Sequence, residues 1–306
     1  MEMMENAFNT HNAKLGFIGL GLMGSRFLRR LNAKGWNVRG WNRSRTATLP
    51  LKKYGFAIDD TLADLVHGSD VLLSSLANDD AVRAAYLGEG GVFANVQYGT
   101  TILEMSTISP DLSALLHQEA RRRGADLMDL PVSGSTPAVD AGTVTLFAGG
   151  ELETFDRCIP IFESIAKQWY LMGPATAGIR MKLVANLLLG VNMEAIAEAV
   201  SLGEHLQLNR DLLLDVLPKT SVIAPALLGK ILKIKERDFS PQFPLRLMSK
   251  DMSLVHSAAD RSGAVLPATT STKHIFQDAL AGRGELDLSA VTTYVQTLAQ
   301  EEIPIG

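Results

Sequence analysis

Cysteine is almost missing from this chain of 306 residues, in which Cys158 stands alone. A single thiol excludes an intramolecular disulfide framework and any metal site built from several cysteines. The six histidines are scattered, without His-Glu-x-x-His or a comparable spacing, so the sequence predicts no metal site. Gly-x-Ser-x-Gly and P-loop motifs are also absent, which leaves hydrolase and kinase functions without support.

Long runs of one charge and of apolar residues are missing as well. The net charge is −4 and no run of Lys or Arg exceeds three residues, so we expect neither nucleic acid nor a membrane as a partner. Residues 1–13 lack the apolar stretch of a signal peptide, and the most apolar stretch, 183–193, is interrupted by two asparagines and a glycine. The sequence therefore predicts a cytoplasmic globular protein in which residues 1–13 form a disordered tail.

The most informative segment that is present runs from Lys14 to Gly24, where an apolar strand pattern leads into Gly-x-Gly-x-x-Gly. In a βαβ unit the first glycine permits a tight turn, the second admits a pyrophosphate close to the backbone, and the third lets helix and strand pack closely. A helical pattern at 22–34 and a strand pattern at 38–41 complete such a unit. A glycine turn without a ligand is the alternative. We predict a dinucleotide site whose residues in this segment are Gly19, Leu20, Gly21, Met23 and Gly24.

The end of the second predicted strand indicates which dinucleotide binds. NAD-binding proteins carry Asp or Glu there, whose carboxylate accepts hydrogen bonds from the ribose 2′-hydroxyl. This chain instead has Asn42, Arg43 and Ser44. A guanidinium can bind a 2′-phosphate that a carboxylate would repel. The sequence therefore predicts NADP(H) rather than NAD(H), and the alternative is that Arg43 and Arg45 belong to a solvated loop.

Alternating strand and helix patterns continue to about residue 173 and are then replaced by helical patterns alone. The predicted fold class is α/β, with a Rossmann domain at 14–173 built on a doubly wound, mostly parallel sheet. An all-helical second domain follows at 174–306 and is joined to the first by one long interdomain helix, with further helices predicted at 210–217, 222–231, 245–262, 267–281 and 288–300. Ligands of open α/β sheets bind beyond the carboxyl ends of the strands, where we expect the chemistry.

Lys182 and Asn186 lie four residues apart on the long predicted helix and therefore share a face. A carbonyl that is reduced needs a proton on its oxygen, and an ammonium group can donate that proton and stabilise the developing charge. The apolar neighbours of Lys182 favour a buried or cleft-facing side chain over a solvated one. We predict Lys182 and Asn186 as the catalytic pair.

The loop that follows Asp129 is rich in Ser, Gly and Thr. Backbone amides and hydroxyls of this kind suit a substrate carboxylate, although such a loop can also be a turn without function. At this point four segments, in this order and with this spacing, resemble the β-hydroxyacid dehydrogenase family, namely 16–24, 129–142, 178–186 and 250–254. The similarity extends from about residue 14 to about residue 300. Within the family, segments 131–135 and 243–252 are most similar to NADP-dependent glyoxylate and succinic semialdehyde reductases.

This resemblance implies roles for particular residues. Lys182 would be the proton donor and acceptor beside Asn186, and Ser133, Gly134 and Ser135 would bind the substrate carboxylate. The resemblance also implies a helical domain that often mediates dimerisation, hence a homodimer or homotetramer. The further residues that would line the cofactor are Leu76, Ala77, Asn78, Thr107 and Lys250.

The chain also departs from relatives of this family at several positions. Ser135 stands where a second glycine is common, and Ala77 stands where proline is common, so both loops differ in detail. Ala185 replaces the histidine of 6-phosphogluconate dehydrogenases, and imine reductases usually lack the equivalent of Lys182. The presence of this lysine argues for carbonyl and alcohol chemistry.

The predicted function is that of an NADPH-dependent oxidoreductase that reduces a small carboxylic acid semialdehyde, or glyoxylate, to the hydroxy acid. One alternative is a 3-hydroxyisobutyrate-type 3-hydroxy acid dehydrogenase that works oxidatively. Another is a dinucleotide-binding sensor or assembly module without catalysis, which would be favoured by loss of the lysine or the substrate loop. A third, reduction of an imine, is disfavoured by Lys182.

Overall fold

The computed structural model describes residues 7–301 and divides the chain into two compact units, Met1–Lys182 and Leu183–Gly306. An eight-stranded sheet forms the centre of the first unit. Its strands are β1 (Lys14–Ile18), β2 (Asn37–Trp41), β3 (Val71–Ser74), β4 (Thr101–Glu104), β5 (Asp126–Asp129), β6 (Val132–Ser133), β7 (Val144–Gly149) and β8 (Ala166–Gly173).

Helices cover this sheet in the first unit. They are α1 (Gly24–Ala33), α2 (Leu49–Lys53), α3 (Leu62–His67), α4 (Asp79–Leu87), α5 (Val92–Asn95), α6 (Pro110–Arg122), α7 (Thr136–Ala141) and α8 (Leu152–Ile165). A further long helix, α9 (Ala177–His205), begins in the first unit and continues into the second.

The strand order is β2-β1-β3-β4-β5-β7-β6, with β8 beside β7. Strands β1 to β5 are parallel, and β7 runs antiparallel to β5 and β6. The carboxyl ends of β1 to β5 therefore share one edge, and the chain winds in opposite directions on either side of β1. Open α/β sheets bind ligands at such a switch point. The predicted doubly wound, mostly parallel sheet is confirmed.

The period-two alternation of the strands builds an apolar core on each face of the sheet. Phe17 packs with the residues of α1 and α8, whereas its neighbour Ile18 packs with the residues of α3, α4 and α6. Leu72 and Leu73 on β3 divide between the same two clusters. Successive side chains of a strand point to opposite faces, so an apolar strand is buried on both sides.

The second unit contains helices and no strand among its described residues. After α9 come α10 (Arg210–Val216), α11 (Leu228–Glu236), α12 (Leu245–Ser262), α13 (Pro267–Asp278) and α14 (Val291–Glu301). Met193 and Val200 of α9 pack with Ile231, Met248 and Phe276 in a separate apolar core. The predicted helical domain is confirmed.

Three details differ from the sequence-based expectation. The Phe8 ring lies 5.5 Å from the Arg157 guanidinium, and Phe8 donates its backbone N–H to the Arg157 carbonyl oxygen. Residues 8–13 are therefore not the predicted disordered tail. Residues 1–6 lie outside the described part of the chain. The two units divide within α9, after Lys182, rather than at 173. The helix predicted at 222–231 begins only at Leu228, after a 3-10 turn at Pro225–Leu227, and Pro225 disfavours helical backbone at the residue before it.

Helix α9 is long and apolar enough to cross a membrane by length and composition, with a mean hydropathy of 1.5 in its most apolar window. In that window 39% of the residues are buried within the protein. A core helix of a soluble protein satisfies the same criterion, so this property alone carries little weight.

Candidate functional site

The glycine turn after β1 has the shape that a dinucleotide phosphate requires. Gly19 has φ +88°, where a Cβ would lie 2.5 Å from the Ser75 carbonyl oxygen, and a Cβ on Gly24 would overlap the Gly19 carbonyl oxygen. Both positions therefore exclude a side chain. A Cβ on Gly21 would meet no described atom within 4 Å, so the backbone there faces open space. The turn fits a bound pyrophosphate at the start of α1, where backbone N–H groups favour anions. Leu20 is buried, and Met23 is half-buried.

Asn42 connects this turn to the loop after β2. Its Oδ1 accepts a hydrogen bond from Leu20 N at 2.9 Å, and its Nδ2 donates to the Ser44 carbonyl oxygen at 3.0 Å. Ser44 Oγ lies 2.8 Å from Thr46 Oγ1. Arg43 is exposed between them. The side chain of Asn42 thus holds the two loops together, while the guanidinium of Arg43 is presented to solvent.

A buried carboxylate holds the loops after β3 and β4. Glu104, 1% exposed, accepts hydrogen bonds from Ser74 Oγ and from Ser106 N, the latter at 2.8 Å. Ser106 Oγ in turn accepts from Leu76 N at 2.8 Å, and the Tyr86 hydroxyl lies 2.6 Å from Ser74 Oγ. Burial raises the pKa of Glu104. Sequence reasoning missed this residue, although an acidic residue at the end of an apolar strand was a signal for it.

The other residues predicted on these two loops lie at the same edge of the sheet. Leu76 and Thr107 are half-buried, and Ala77 and Asn78 are exposed. Asn78 is the N-cap of α4, since its Oδ1 accepts from Ala81 N at 2.9 Å. The Asn78 side chain is therefore occupied in capping α4, and the Asn78 backbone lies at the edge of the sheet.

The predicted substrate loop starts where β5 ends. Ser133 pairs with Thr145 in the short antiparallel contact of β6 with β7. Gly134 has φ +140°, and a Cβ there would lie 2.9 Å from Val144 Cγ1, so glycine is required. Gly134 is exposed, Ser133 and Ser135 are half-buried, and α7 begins directly after Ser135. The loop presents backbone and hydroxyl groups at a fixed position.

Helix α9 carries two buried polar side chains. Lys182 is 9% exposed and Asn186 is 1% exposed. Asn186 Nδ2 donates to Asp251 Oδ2 at 2.6 Å, and Lys250 Nζ forms an ion pair of 2.8 Å with Asp251 Oδ1. Asp251, 2% exposed, therefore links two predicted site residues, and sequence reasoning gave it no role. An acidic residue directly after Lys250 was the available signal.

The predicted site residues are distributed over both units. The glycine turn, the Asn42 loop, the loops after β3 to β5 and Lys182 belong to the first unit. Asn186 and Lys250 belong to the second, together with Asp251. Within the first unit, the parallel register of the strands brings all the predicted loops to one edge of the sheet.

Cys158 and possible metal ligands lie outside this arrangement. The Cys158 thiol is buried, and burial raises its pKa to about 12, so it is an inert part of the apolar core. Among residues 7–301, no group of three or more His, Cys, Asp and Glu side chains has the geometry to hold a metal ion.

Two family models match the chain. Residues 14–173 match the NAD binding domain of 6-phosphogluconate dehydrogenase. Residues 176–295 match the model described as NAD-binding of NADP-dependent 3-hydroxyisobutyrate dehydrogenase. Both units are thus covered over most of their length.

Individual proteins are similar over almost the whole chain. The 2-(hydroxymethyl)glutarate dehydrogenase of Eubacterium barkeri is 33% identical over 91% of this chain and 93% of its own. Glyoxylate/succinic semialdehyde reductase 1 of Arabidopsis thaliana is 28% identical over 92% of this chain and 98% of its own. The crystal structure of 3-hydroxyisobutyrate dehydrogenase from Salmonella typhimurium has a TM-score of 0.85 and 25% identity, covering 92% of this chain and 99% of that one.

The glycine turn and the matched domains both indicate a nicotinamide dinucleotide as the cofactor. The relatives named above act on hydroxy acids or on the corresponding carbonyl compounds. With family models matching residues 14–173 and 176–295 of this chain and a relative 33% identical over 91% of it, the chain belongs to the β-hydroxyacid dehydrogenase family.

Proposed function

We propose that this protein is an NADPH-dependent reductase that converts a small carboxylic acid semialdehyde, or glyoxylate, to the hydroxy acid. The observation that carries the proposal is the burial of Lys182, four residues before the buried Asn186 on one helix. Lysine is rarely buried, and an ammonium group on a largely apolar helix suits proton transfer.

In this reaction the chain's own residues handle the proton and the negative charge. When bound, NADPH supplies a hydride, with its electron pair, to the carbonyl carbon. As the C=O π bond breaks, Lys182 Nζ donates a proton to the carbonyl oxygen and stabilises its charge. In the reverse direction the neutral amine accepts the hydroxyl proton. Because Asn186 Nδ2 donates to Asp251, we assign its amide oxygen to orienting the ammonium or the substrate hydroxyl.

The loop at Ser133, Gly134 and Ser135 is assigned to the substrate carboxylate. It offers hydroxyl and backbone N–H donors on a backbone fixed by β7. A carboxylate next to the reacting carbonyl fits the substrates in the name of the Arabidopsis relative, glyoxylate and succinic semialdehyde. The substrate class thus rests on the polar loop and on that similarity.

We assign NADP(H) rather than NAD(H) on the residues after β2. Arg43 is exposed next to the glycine turn, and no carboxylate stands at Asn42 to repel a 2′-phosphate. The guanidinium and the Ser44 hydroxyl are suitable donors for that phosphate. Leu76, Ala77, Asn78, Thr107 and Lys250 are assigned to the rest of the cofactor, as the family resemblance implies.

A second candidate is oxidation of a 3-hydroxy acid by the same residues. The names of the Eubacterium and Salmonella relatives favour it, since both are dehydrogenases of hydroxy acids. A sensor or assembly module without catalysis is disfavoured, because it would have no need of a buried Lys182.

We further propose a cytoplasmic homodimer or homotetramer without nucleic acid or membrane partners. The net charge of −4 supports the absence of polyanionic partners. Large apolar side chains are exposed on the second unit, and monomers seldom leave such surfaces uncovered. They include Val184, Leu188, Leu202, Leu206 and Leu212. Light scattering after size exclusion measures the mass directly, and a monomer at micromolar concentration would contradict the assembly.

A substrate panel tests the proposed function. Glyoxylate, succinic semialdehyde and methylmalonate semialdehyde are each supplied with NADPH or NADH, and 3-hydroxyisobutyrate is supplied with NADP⁺. We expect the highest kcat/KM for one of the aldehydes with NADPH. A higher value for 3-hydroxyisobutyrate would favour the oxidative candidate, a clear preference for NADH would contradict the cofactor assignment, and no turnover of any carbonyl would favour the sensor.

A further inference from the structure

Asp129 connects the substrate loop to the helix that carries Lys182. It is the last residue of β5 and is 2% exposed. Its Oδ1 accepts a hydrogen bond from Thr176 N at 2.8 Å, and its Oδ2 accepts from Ile179 N at 2.7 Å. His117 Nε2 donates to Oδ1 at 2.9 Å. One buried carboxylate therefore accepts three hydrogen bonds, one of them from Thr176, directly before α9, and one from Ile179 in the first turn of α9.

This arrangement is a helix cap supplied from a distant part of the chain. The first four N–H groups of a helix lack intrahelical acceptors, and a carboxylate there also interacts favourably with the helix dipole. Thr176 N and Ile179 N are three residues apart, and each is bound by a different oxygen of the same carboxylate. Two such bonds fix the start of α9 relative to β5, both in its position along the helix axis and in its rotation about that axis.

The surrounding backbone is shaped to admit the carboxylate. A Cβ on Gly149 would lie 2.6 Å from Asp129 Oδ1, and a Cβ on Gly178 would lie 2.9 Å from Asp129 Oδ2 and overlap the Phe147 carbonyl oxygen. Side chains at either glycine would displace it. The position of Asp129 thus explains Gly149, and Asp129 together with the Phe147 carbonyl oxygen explains Gly178.

The backbone at Thr176 is strained in the conformation that directs its N–H to Asp129. It has φ +75°, which is unusual for a β-branched residue, and its buried Oγ1 has no hydrogen-bond partner among the described atoms. Both features are unfavourable by themselves. They are offset by the hydrogen bond of Thr176 N to Asp129.

We propose that Asp129 is a positioning residue that sets the place of Lys182 relative to the substrate loop. Lys182 follows Ile179 by three residues, close to one helical turn, so the capped turn determines where its Cα and side chain begin. The loop at residues 133–135, assigned to the substrate, begins four residues after Asp129. Asp129, Ile179 and Lys182 all belong to the first unit. This inference rests on the proposed role of Lys182 as proton donor.

The substitution Asp129→Asn tests the inference with little change of shape. An amide offers one acceptor oxygen instead of two, and its NH₂ group would face an N–H donor. Because small misplacements of a reacting group can lower rates about a hundredfold, we expect kcat to fall by about that factor. The KM for NADPH is expected to remain within about twofold, since β3 and β4 separate β1, which leads into the glycine turn, from β5, which carries Asp129.

The matched control is Asp126→Asn, at the other end of the same strand. Asp126 pairs with Arg157 at 2.6 Å, and its side chain is 48% exposed. We expect this variant to turn over like the wild type. An equal loss of kcat in both variants would show that any charge change in β5 is harmful and would overturn the inference.

A double-mutant cycle separates positioning from a general structural role. Single-turnover oxidation of NADPH is measured in the wild type, Asp129→Asn, Lys182→Ala and the double variant. If Asp129 acts through Lys182, Asp129→Asn causes no further loss once Lys182 is replaced. If the rate of the double variant falls by the product of the two single losses, or if the kcat of Asp129→Asn is near normal, the inference is overturned and the proposed function stays intact. Near-normal turnover of Lys182→Ala overturns the proposed function, and the inference with it.

A second variant covers the case in which Asp129→Asn does not fold. His117→Gln keeps the carboxylate and both helix amides and weakens only the third hydrogen bond. A hydrogen bond to a charged group is worth about a factor of ten, so we expect kcat to fall about tenfold, again only when Lys182 is present. An unchanged kcat would overturn the inference.

Discussion

The two units use buried carboxylates in different ways. In the first unit, Glu104 and Asp129 accept hydrogen bonds from backbone N–H groups of loops and of a helix start. In the second unit, Asp251 and Asp287 each form an ion pair with a lysine side chain. The carboxylates of the first unit hold backbone at the edge of the sheet through N–H groups rather than through a lysine side chain. In the second unit the carboxylate balances a lysine charge, and Asp287 also accepts from backbone N–H groups.

This difference predicts which buried carboxylates matter for activity and which matter for stability. We expect a carboxylate that holds the loops at the edge of the sheet to act on a bound ligand through those loops. A carboxylate such as Asp287, 0% exposed, instead joins α11 to the chain around Gln242 and Phe243. We therefore expect substitution of Glu104 or Asp129 to change kinetics and substitution of Asp287, whose described hydrogen bonds involve no predicted site residue, to change stability.

The largest expected effect is that of Asp287→Asn on stability. Lys230, 5% exposed, would be left as a buried ammonium without its carboxylate, and removal of one partner of a buried ion pair costs about 3–5 kcal/mol. The free energy of unfolding from urea titration measures this loss. Turnover per folded molecule is expected to stay unchanged.

The matched control is Asp238→Asn, which removes the half-exposed partner of Lys233. Its effect on the free energy of unfolding is expected to be much smaller, because the Asp238 carboxylate is solvated and Lys233 Nζ still donates to the Asp238 carbonyl oxygen and to Ser240 Oγ. If Asp287→Asn lowered kcat while leaving stability intact, the contrast between the two units would be wrong.

The second prediction concerns Arg43→Ala. Loss of a charge-assisted hydrogen bond of about 2 kcal/mol to the 2′-phosphate is expected to raise the KM for NADPH about thirtyfold and to leave the KM for NADH unchanged. Lys34→Ala, which removes another exposed cation of the first unit, serves as the control. Equal KM changes for the two cofactors would contradict the role of Arg43.

Much of the fold and part of the site were predictable from local patterns. Apolar strands, the glycine turn and the helical spacing of Lys182 and Asn186 are encoded by residues close in sequence. The contacts of Asp129 with Thr176 and of Asp251 with Asn186 span 47 and 65 residues, and no local pattern specifies them. The same reason explains the ordered residue Phe8, which depends on Arg157.

The smallest expected effect is a pH dependence in the second unit. Burial, with the neighbouring Glu198 one turn away, raises the pKa of Glu194 on α9 to about 7. Since this value lies above the ordinary 4.5, the stability contributed by protonated Glu194 is complete below pH 4.5 and is lost as the pH rises through about 7.

The variant Glu194→Gln should therefore lose less stability than the wild type between pH 5 and pH 8. Melting temperatures across that range measure the difference, which we expect to be a few degrees at most because the group is half-exposed. Parallel curves for the two proteins would show that Glu194 does not titrate in that range.

The central claim is that Lys182 performs the proton transfer of a carbonyl reduction on a cofactor bound elsewhere in the first unit. The most direct test compares Lys182→Ala with the wild type in two measurements, the dissociation constant for NADPH from its fluorescence and kcat with the best aldehyde of the panel. We predict an unchanged dissociation constant and a kcat lower by about three orders of magnitude. Near-normal turnover, or loss of NADPH binding to the same extent as turnover, would contradict the claim.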